Sequence, residues 1–417
     1  MAPGGSWPGD RKCPPAAFFF LHVCTAWPVG VIGLALGSSL VRVGVTVQQV
    51  AAITAASTLA FTLEFLWAPL VDSCLTRRRW FVAGAVAMCV CLAALLVAKW
   101  NATSVPLMTA LAFASSLGAA AAAVAVKGLM AYDVPAAALG AASAFYTAGG
   151  TFAKAVGGAG TLWLLTHGLT RTPAVGLSLG VAALAGAAIL FAAPGRSAPW
   201  HQLPEKLRCA LVDLWAFIRT REGRMIAILC VIPFGAGTES GLIGAISHEW
   251  AVTPDQLAGF GVLGAATSMA GAMSAGWLAT RLGPWKTYVI LGWLMIMVMI
   301  GFAALPRSAD FFLGTELLYR ALASGCYAAL LGIVMTAIGK GAASTKAASL
   351  WSLANFAVAY PTALEGAVHD HAGTTAMLLT DAGLGVAGFG ALLVASRFLK
   401  LRLDLTDSRR HPASVER

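Results

Sequence analysis

The chain has 417 residues, of which 59% are hydrophobic and only 11% carry a charge. Soluble domains average about 25% charged residues, and a chain this apolar could not cover its hydrophobic surface in water. The composition therefore excludes a soluble globular protein and predicts an all-α polytopic membrane protein. The net charge of +10 does not indicate nucleic acid as a partner, because the basic residues are distributed by membrane side.

Eight cysteines are spread along the chain. They fall in predicted spans or in predicted cytoplasmic segments, and none has the spacing of a metal site. We interpret them as reduced structural thiols. The sequence therefore predicts no disulfide framework and no metal site, and no segment indicates a cofactor.

Apolar runs of about 20 residues, the length that crosses a bilayer as a helix, recur twelve times. A basic segment between the sixth and the seventh divides them into two groups of six. This pattern predicts an N-terminal bundle over 1–193, a cytoplasmic linker over 194–224, a C-terminal bundle over 225–396 and a cytoplasmic tail over 397–417. The predicted spans lie near 16–38, 47–70, 80–98, 104–126, 138–165, 174–193, 225–247, 256–279, 287–304, 311–338, 347–368 and 374–396.

Basic residues set the predicted orientation, because the cytoplasmic loops of membrane proteins are enriched in lysine and arginine. The chain contains 28 such residues. With both termini in the cytoplasm, only Arg42, Lys99, Arg171 and Arg307 fall in outer loops. The reversed orientation would invert this bias, so we predict that both termini are cytoplasmic.

The second span ends in FLWAPLVD, which is followed by SCLTRRRW. An acid at the end of a span, followed by a basic triplet, predicts a salt-bridged latch of Asp72 with Arg77, Arg78 and Arg79. The alternative is a plain basic anchor at the cytoplasmic membrane face. In the second half GWLATRLGPWK corresponds to this segment, with Thr280 in the place of the acid.

Matching Pro/Gly breaks interrupt the first and the seventh spans, as Pro28-Val29-Gly30 and Pro233-Phe234-Gly235. Proline removes a backbone donor and glycine loosens a helix, so these breaks predict freed carbonyl groups that line a cavity. Corresponding breaks in two halves point to a transporter site. Together with the repeated latch segment, they predict two halves of six helices in the same orientation.

Three segments resemble a known family. They are FLWAPLVD with RRRW, the fifth span FYTAGGTFAKAVGGAGTLWLL and the eleventh span LWSLANFAVAYPTALEGAV. They resemble the branch of the major facilitator superfamily that contains muropeptide permeases, acetyl-coenzyme A transporters and single-component siderophore permeases of the pyochelin and rhizobactin type. The resemblance implies the major facilitator fold, with twelve transmembrane helices in two six-helix bundles. It also implies that the Asp72 segment joins the two halves in the outward-facing state, and that Glu64 stands where many relatives carry a lysine.

Ionisable residues inside the spans are the candidate functional residues. Each costs at least about 2.5–3.5 kcal/mol at mid-bilayer on insertion scales, so each is expected to face a cavity or a partner. The candidates for a substrate or proton pathway are Glu64, Lys154, Glu239, Glu316, Arg320 and Glu365, with Asp381 as a weaker one.

Two of these sites have alternative interpretations in the second half of the chain. Glu239 lies in the broken segment IPFGAGTESG and is predicted to carry a proton or contact substrate, or else to be a structural carboxylate. Glu316 and Arg320 are four residues apart and share a helical face. They are predicted either to neutralise each other or to form a pair that opens when a proton or an anionic substrate arrives.

Lys154 lies between two glycine pairs of the fifth span, where a neighbouring helix or a substrate can approach closely. It is predicted to pair with Glu64 or with Glu365, or to attract an anion. Glu365 lies toward the outer end of its span, so simple solvation is the alternative for that residue.

The chain contains no nucleotide-binding loop and no hydrolase motif. We therefore predict that it is not an enzyme and that an ion gradient drives it, with protons favoured over sodium because the candidate carriers are carboxylates. The resemblance implies symport of a ferric siderophore across the bacterial inner membrane. The alternatives are a muropeptide permease for cell-wall recycling or a carrier of another small organic solute. We expect a monomer whose partners are its solute, protons and the lipid bilayer.

Overall fold

The computed structural model describes residues 13–42, 45, 47–166, 171–192, 203–233, 247–339 and 342–398. Every regular element in these ranges is helical, because a helix satisfies its backbone hydrogen bonds within one segment and lipid offers none. The helices are α1 (Ala17–Gly30), α2 (Gly37–Arg42), α3 (Val47–Thr62), α4 (Ala68–Ser73), α5 (Arg77–Val97), α6 (Val105–Asp133), α7 (Leu139–Thr166), α8 (Arg171–Gly186), α9 (Leu203–Arg219), α10 (Arg221–Val231), α11 (Pro254–Leu282), α12 (Pro284–Ala304), α13 (Ala309–Ile338) and α14 (Ala343–Phe398).

Several of these helices are joined or divided by breaks. A π-helical turn over Val31–Leu36 joins α1 to α2, and a 3-10 turn over Glu64–Leu66 lies between α3 and α4. Helix α14 consists of two arms that meet at Gly373, whose φ of 79° suits glycine but strains other residues. The predicted eleventh and twelfth spans are therefore the two arms of α14.

Six helices in the described ranges are long and apolar enough to cross a membrane. The fourth predicted span, 104–126, ends too early, because α6 continues to Asp133. Lys127, which the sequence places in a cytoplasmic segment, therefore lies inside a helix. The six helices are Arg77–Val97, Val105–Asp133, Arg171–Phe191, Pro284–Ala304, Ala309–Ile338 and His371–Phe398.

The helices before the segment 193–202 form one half of the molecule, and α10 to α14 form the other. In the first half α1 packs along α7, and α6 packs against α3 and α5; in the second half α13 packs against α11 and α12. Small residues permit this close packing in a membrane. A Cβ atom added to Gly271 of α11, for example, would lie 2.0 Å from the carbonyl oxygen of Ala321 on α13.

The two halves meet through α7, which contacts α11 and α13, and through α14, which contacts α4 and α6. Ala148 of α7 belongs to a small apolar cluster with Ala272 of α11 and Ala328 of α13. The linker helix α9 packs against α4 and α10, and its Asp213 pairs with Lys346 near the start of α14 at 2.9 Å. We call the end of the molecule where α9 lies the linker end, and the opposite end the far end.

A polar cluster around Glu249 joins three connections of the second half at the far end. Glu249 forms an ion pair with Arg307 and accepts a hydrogen bond from the Thr374 hydroxyl. The Nε2 atom of His369 lies 3.4 Å from the same carboxylate. Arg307 also lies over the ring of Trp250, with 4.9 Å between its Cζ atom and the ring centroid. The cluster therefore ties the connection before α11 to the connection between α12 and α13 and to the arms of α14.

Replacing Glu249 by Gln should destabilise the protein in a pH-dependent way. Burial alone raises the pKa of Glu249, but hydrogen bonds from Thr374, His369 and Arg307 outweigh it and hold this pKa below its usual value of 4.5. The stabilisation is thus complete above pH 4.5 and is lost as the pH falls through the lower pKa of the folded state. Because the cluster is half-exposed, we expect a cost of roughly 1 kcal/mol at neutral pH.

Thermal unfolding of the purified protein in detergent tests this expectation. The melting temperatures of wild type and Glu249→Gln should converge as the pH falls below 4.5. Glu222→Gln, which removes an exposed carboxylate at the start of α10, is the control. A difference between wild type and Glu249→Gln that persists unchanged in acid would contradict the proposed role of the carboxylate.

Candidate functional site

Asp72, at the end of α4 in the first half of the molecule, contacts the second half at the linker end. Its carboxylate accepts hydrogen bonds from the Thr345 backbone N–H at 2.8 Å, the Thr345 hydroxyl at 2.9 Å and the Ser344 backbone N–H at 3.3 Å. The side chain is only 4% exposed. Asp72 therefore caps the N-terminus of α14, where unpaired N–H groups and the helix dipole favour a negative charge.

Of the three arginines after Asp72, one reaches the carboxylate. Arg77 pairs with Asp72 at 3.1 Å and lies over the ring of Tyr132, with 3.9 Å between its Cζ atom and the ring centroid. Arg79 is exposed and Arg78 is half-buried, and within the described ranges neither forms an ion pair with Asp72. The triplet predicted for the latch therefore reduces to Arg77, and the N-terminus of α14 supplies the contact that sequence reasoning missed.

Glu64 forms an ion pair with Lys127 of α6, and each side chain is only 2% exposed. This geometry corrects the predicted pairing of Glu64 with Lys154. The predicted pathway does not include Lys127, because the predicted fourth span ends at residue 126, one residue before it. The available signal was the unbroken helical sequence from Val105 to Asp133, which carries the lysine about 9 Å in from the linker end of the helix at about 1.5 Å per residue.

The Glu64–Lys127 pair lies against the second half of the molecule. The Nζ atom of Lys127 is 5.5 Å from the ring centroid of Trp351 on α14, within cation–π range. The indole N–H of Trp351 donates to the Tyr327 hydroxyl of α13 at 2.7 Å. The neighbouring Gly128 leaves room for α14, because a Cβ there would lie 2.2 Å from the hydroxyl of Ser344. These contacts therefore join both halves of the molecule.

Lys154 of α7 lies on the helical face that points between the two halves. Ser143 precedes it by eleven residues, or about three turns, so the two side chains share a face. Ser143 is buried between α6 and α13: its hydroxyl is 3.9 Å from the Met130 sulfur, and a Cβ at Gly332 would lie 3.8 Å from it. Eleven residues closer to the far end, Lys154 is exposed on the same face of α7.

Lys154 is exposed on a different face of α7 from the residues that face lipid. Val156 and Trp163 are also exposed on α7, but they project from the opposite face of the helix. Within the described ranges Lys154 forms no ion pair with an acidic residue, since Glu64 pairs with Lys127 instead. Lys154 is therefore an accessible positive charge on the inner face of the bundle.

The predicted break in the first span has a packing role. Pro28 and Gly30 are both buried, so the prediction that they line a cavity is wrong for these two residues. A Cβ at Gly30 would lie 2.2 Å from the backbone oxygen of Lys154, so glycine is needed for the contact of α1 with α7. The helix is distorted just beyond it, in the π-helical turn over Val31–Leu36.

His22 and Tyr146 form a second contact between α1 and α7. Their rings stack with centroids 3.6 Å apart, and the Nδ1 atom of His22 lies 2.5 Å from the backbone oxygen of Tyr146. The Tyr146 hydroxyl interacts electrostatically with Glu64 and with Tyr327. This stacked pair therefore joins α1 to α7.

Glu316 and Arg320 of α13 form the predicted pair, with 2.8 Å between the Arg320 Nε atom and the Glu316 carboxylate. Glu316 is 1% exposed, whereas Arg320 is 31% exposed. The guanidinium lies over Phe260 of α11, with 5.0 Å from its Cζ atom to the ring centroid. Arg320 therefore neutralises a buried acid and keeps part of its own charge accessible.

Glu365 and Asp381 bring the two arms of α14 together. Glu365 is fully buried, at 0% exposure, which corrects the expectation that it is solvated or paired with Lys154. Its carboxyl group interacts with that of Asp381, and Asp381 accepts a hydrogen bond from the Tyr319 hydroxyl of α13 at 3.4 Å. The structure thus places two of the candidate acids side by side.

Two predicted residues, Glu239 and Gly235, lie outside the described residues. Pro233, two residues beyond the end of α10, is half-buried, and its predicted cavity-lining role stays a prediction. No group of three or more metal-ligating side chains occurs in the ranges that the structure describes. The cysteines described there are free thiols.

These features define a class of protein: a multi-pass membrane protein of two helical halves that keeps ionised side chains at and near their interface. The sequence profile of the Major Facilitator Superfamily matches residues 18–364. The chain therefore belongs to the Major Facilitator Superfamily, whose members are transporters and not enzymes. No curated protein matches the sequence.

Solved structures share the fold at low sequence identity. The human organic anion transporter MFSD10 is 17% identical, with a TM-score of 0.65 over 93% of this chain and 100% of that chain. A bacterial homologue of the iron transporter ferroportin in the outward-facing state is 14% identical, with a TM-score of 0.62 over 93% of this chain and 99% of that one. The fucose:proton symporter FucP of E. coli is 15% identical, with a TM-score of 0.69 over 92% of this chain and 97% of that one.

Replacing Lys127 by Met should destabilise the protein strongly. The substitution leaves the Glu64 charge buried without its partner, a change that typically costs roughly 3–5 kcal/mol. Replacing both residues, Glu64→Leu with Lys127→Met, should restore most of the lost stability because no buried charge remains. Thermal unfolding in detergent measures both effects. A double variant no more stable than Lys127→Met would show that the lysine stabilises the fold by other contacts.

Proposed function

We propose that the protein is a secondary transporter that uses a proton gradient to import an anionic, aromatic iron chelate, a ferric siderophore. The proposal places the chain in the inner membrane of a bacterium, with both termini and the linker end in the cytoplasm. The observation that carries it is Lys154, an exposed cation on the inner face of a bundle whose other surfaces are mostly apolar.

The contacts between the halves support alternating access. Asp72 with the start of α14, Lys127 with Trp351, and Ala148 with Ala272 all connect the halves in the part of the molecule nearer the linker end. Lys154 lies farther toward the far end, on a face that is exposed. With the linker end in the cytoplasm, this arrangement corresponds to an outward-facing state that receives its solute from outside the cell.

The residues near Lys154 favour an aromatic anion as the solute. Two aromatic pairs lie nearer the linker end than Lys154: His22 stacks on Tyr146, and Tyr327 packs against Trp351. Tyr327 is exposed, whereas Tyr146 and Trp351 are buried. A flat aromatic ligand can stack on an exposed ring such as that of Tyr327, and a lysine attracts its negative charge. A sugar-peptide would need more hydroxyl and amide partners than this wall offers, so a muropeptide is the competing outcome of the test.

Uptake into cells tests the function directly. Cells that carry this protein as their only inner-membrane route should accumulate radio-iron supplied as ferric pyochelin, and a protonophore should abolish the accumulation. The same cells should not accumulate labelled anhydro-muropeptide. Accumulation of the muropeptide in place of the chelate would overturn the proposed substrate. Accumulation of the chelate that a protonophore does not reduce would overturn the proposed coupling to protons.

Replacing Lys154 by Gln should weaken binding of the chelate by roughly tenfold to a hundredfold, because a hydrogen bond to a charged group contributes roughly 1.5–3 kcal/mol. Lys154→Arg keeps the charge and should retain most of the affinity. Lys99→Gln, which neutralises an exposed lysine at the far end, is the control for net charge. Initial rates of uptake over a range of chelate concentrations measure the effect, and equal KM values for wild type and Lys154→Gln would remove Lys154 from the site.

Replacing Asp72 by Asn should slow turnover more than it weakens binding. The change removes the negative charge that caps α14, a contact of about 0.5–2 kcal/mol, so the maximal rate should fall by up to about thirtyfold. The KM should change little, because Asp72 lies far from Lys154. Asp310→Asn, at an exposed carboxylate of α13, is the matched control. A raised KM with an unchanged maximal rate would contradict the latch.

A further inference from the structure

Glu365 differs from every other buried acid described above in its surroundings. Asp72 has Arg77 and backbone N–H groups, Glu64 has Lys127, and Glu316 has Arg320. Neither carboxyl oxygen of Glu365 accepts a hydrogen bond from any residue in the described ranges. Its polar neighbour there is another acid, Asp381.

Two facing carboxyl groups impose a simple chemical requirement. An ionised carboxylate only accepts hydrogen bonds, so two carboxylates cannot bond to each other unless one of them holds a proton. Two like charges at a shared buried site also repel strongly, and one bound proton removes this repulsion. A proton between Glu365 and Asp381 therefore provides the hydrogen bond that the Glu365 oxygens otherwise lack.

The other groups around the pair do not remove this requirement. Tyr319 of α13 donates its hydroxyl proton to Asp381 and satisfies one oxygen of that residue only. Glu316, one turn away on the same helix, is already paired with Arg320. Tyr360, on the same arm as Glu365, donates to the backbone oxygen of Val231 at 3.3 Å. In the part of the chain that the structure describes, no lysine or arginine pairs with either acid.

The pair also lies where a change of charge has a mechanical effect. Glu365 and Asp381 are at equal distances along the chain from Gly373, one on each arm of α14. Near the start of the first arm, Ser344 and Thr345 donate hydrogen bonds to Asp72 at the linker end. Loss of the proton would create repulsion between the arms at one end of a helix whose other end closes the molecule.

We propose that Glu365 and Asp381 together form the proton-binding site that couples transport to the proton gradient. The inference rests on the proposed transport function and names the site of its coupling ion. A proton from water on the far side forms the O–H bond of one carboxyl group, which then donates to the other. The same O–H bond breaks when the molecule opens toward the linker end, and the proton leaves to water there.

Infrared difference spectroscopy tests the site without any solute. The purified protein in lipid nanodiscs is taken through pH steps, and the carbonyl stretch of protonated carboxyl groups is recorded. Wild type should show a band that responds to pH, and this band should disappear in Glu365→Gln and in Asp381→Asn. Asp310→Asn, the exposed control, should keep it. Equal spectra for wild type and both site variants would overturn the proposal.

Sodium is the competing ligand, because two carboxylates and a tyrosine could also hold a hard cation. The pH titration is therefore repeated with sodium chloride in place of choline chloride. A midpoint that does not change supports a proton site. A midpoint that moves to lower pH in wild type but not in Glu365→Gln would show that sodium competes for the pair, and would overturn a site for protons alone.

Transport assays distinguish a failure of the coupling site from a failure of the proposed function. Glu365→Gln should still exchange ferric pyochelin across preloaded vesicles, since exchange needs no net proton movement, but a pH gradient should no longer drive accumulation. Lack of any ferric pyochelin transport by wild type would overturn the proposed function and leave the spectroscopic result standing. Proton-driven accumulation by both site variants at the wild-type level would overturn the coupling site alone.

Discussion

The cost of placing an ionised group in lipid governs the arrangement of this protein. At roughly 2.5–3.5 kcal/mol or more for each charge, an acid or base inside the bundle persists only beside a partner or, as at Lys154, on an exposed face. Glu64 has Lys127, Glu316 has Arg320, and Asp72 has Arg77 together with the N-terminus of α14. The exception among the buried acids is Glu365, whose carboxyl neighbour offers no opposite charge.

The charged sites are arranged along the path between the two ends of the molecule. Asp72 joins the halves at the linker end, and the Glu64–Lys127 pair lies one layer deeper against Trp351. Lys154 follows toward the far end as an accessible cation. Because Asp72 and Lys127 each contact the opposite half, any motion that separates the halves at the linker end must break both contacts. These contacts therefore stabilise the arrangement in which the linker end is closed.

Both halves contain broken helices. The 3-10 turn at Glu64 lies directly between the long helix α3 and the short helix α4 that carries Asp72. Glu64 therefore lies only eight residues before Asp72 along the chain. In the second half Gly373 divides α14 into arms that hold Glu365 and Asp381. In the first half the break contains a buried acid, and in the second half an acid lies eight residues from the break on each arm.

The sequence by itself determined the membrane character, the helical class and the approximate positions of the spans, because hydrophobic composition and run length are local properties of the chain. It also identified Asp72, Glu64 and the pair of Glu316 with Arg320, because an acid in an apolar run and an i, i+4 spacing are visible without a fold. Only the tertiary structure decided the partners. Lys127 and not Lys154 neutralises Glu64, the N-terminus of α14 receives Asp72, and Gly30 packs against α7 without lining a cavity. Glu365 meets Asp381 because two arms of one helix fold back at Gly373. Such partners come from helices distant in sequence, and their choice depends on helix rotation and depth, which a one-dimensional pattern of apolar residues does not specify.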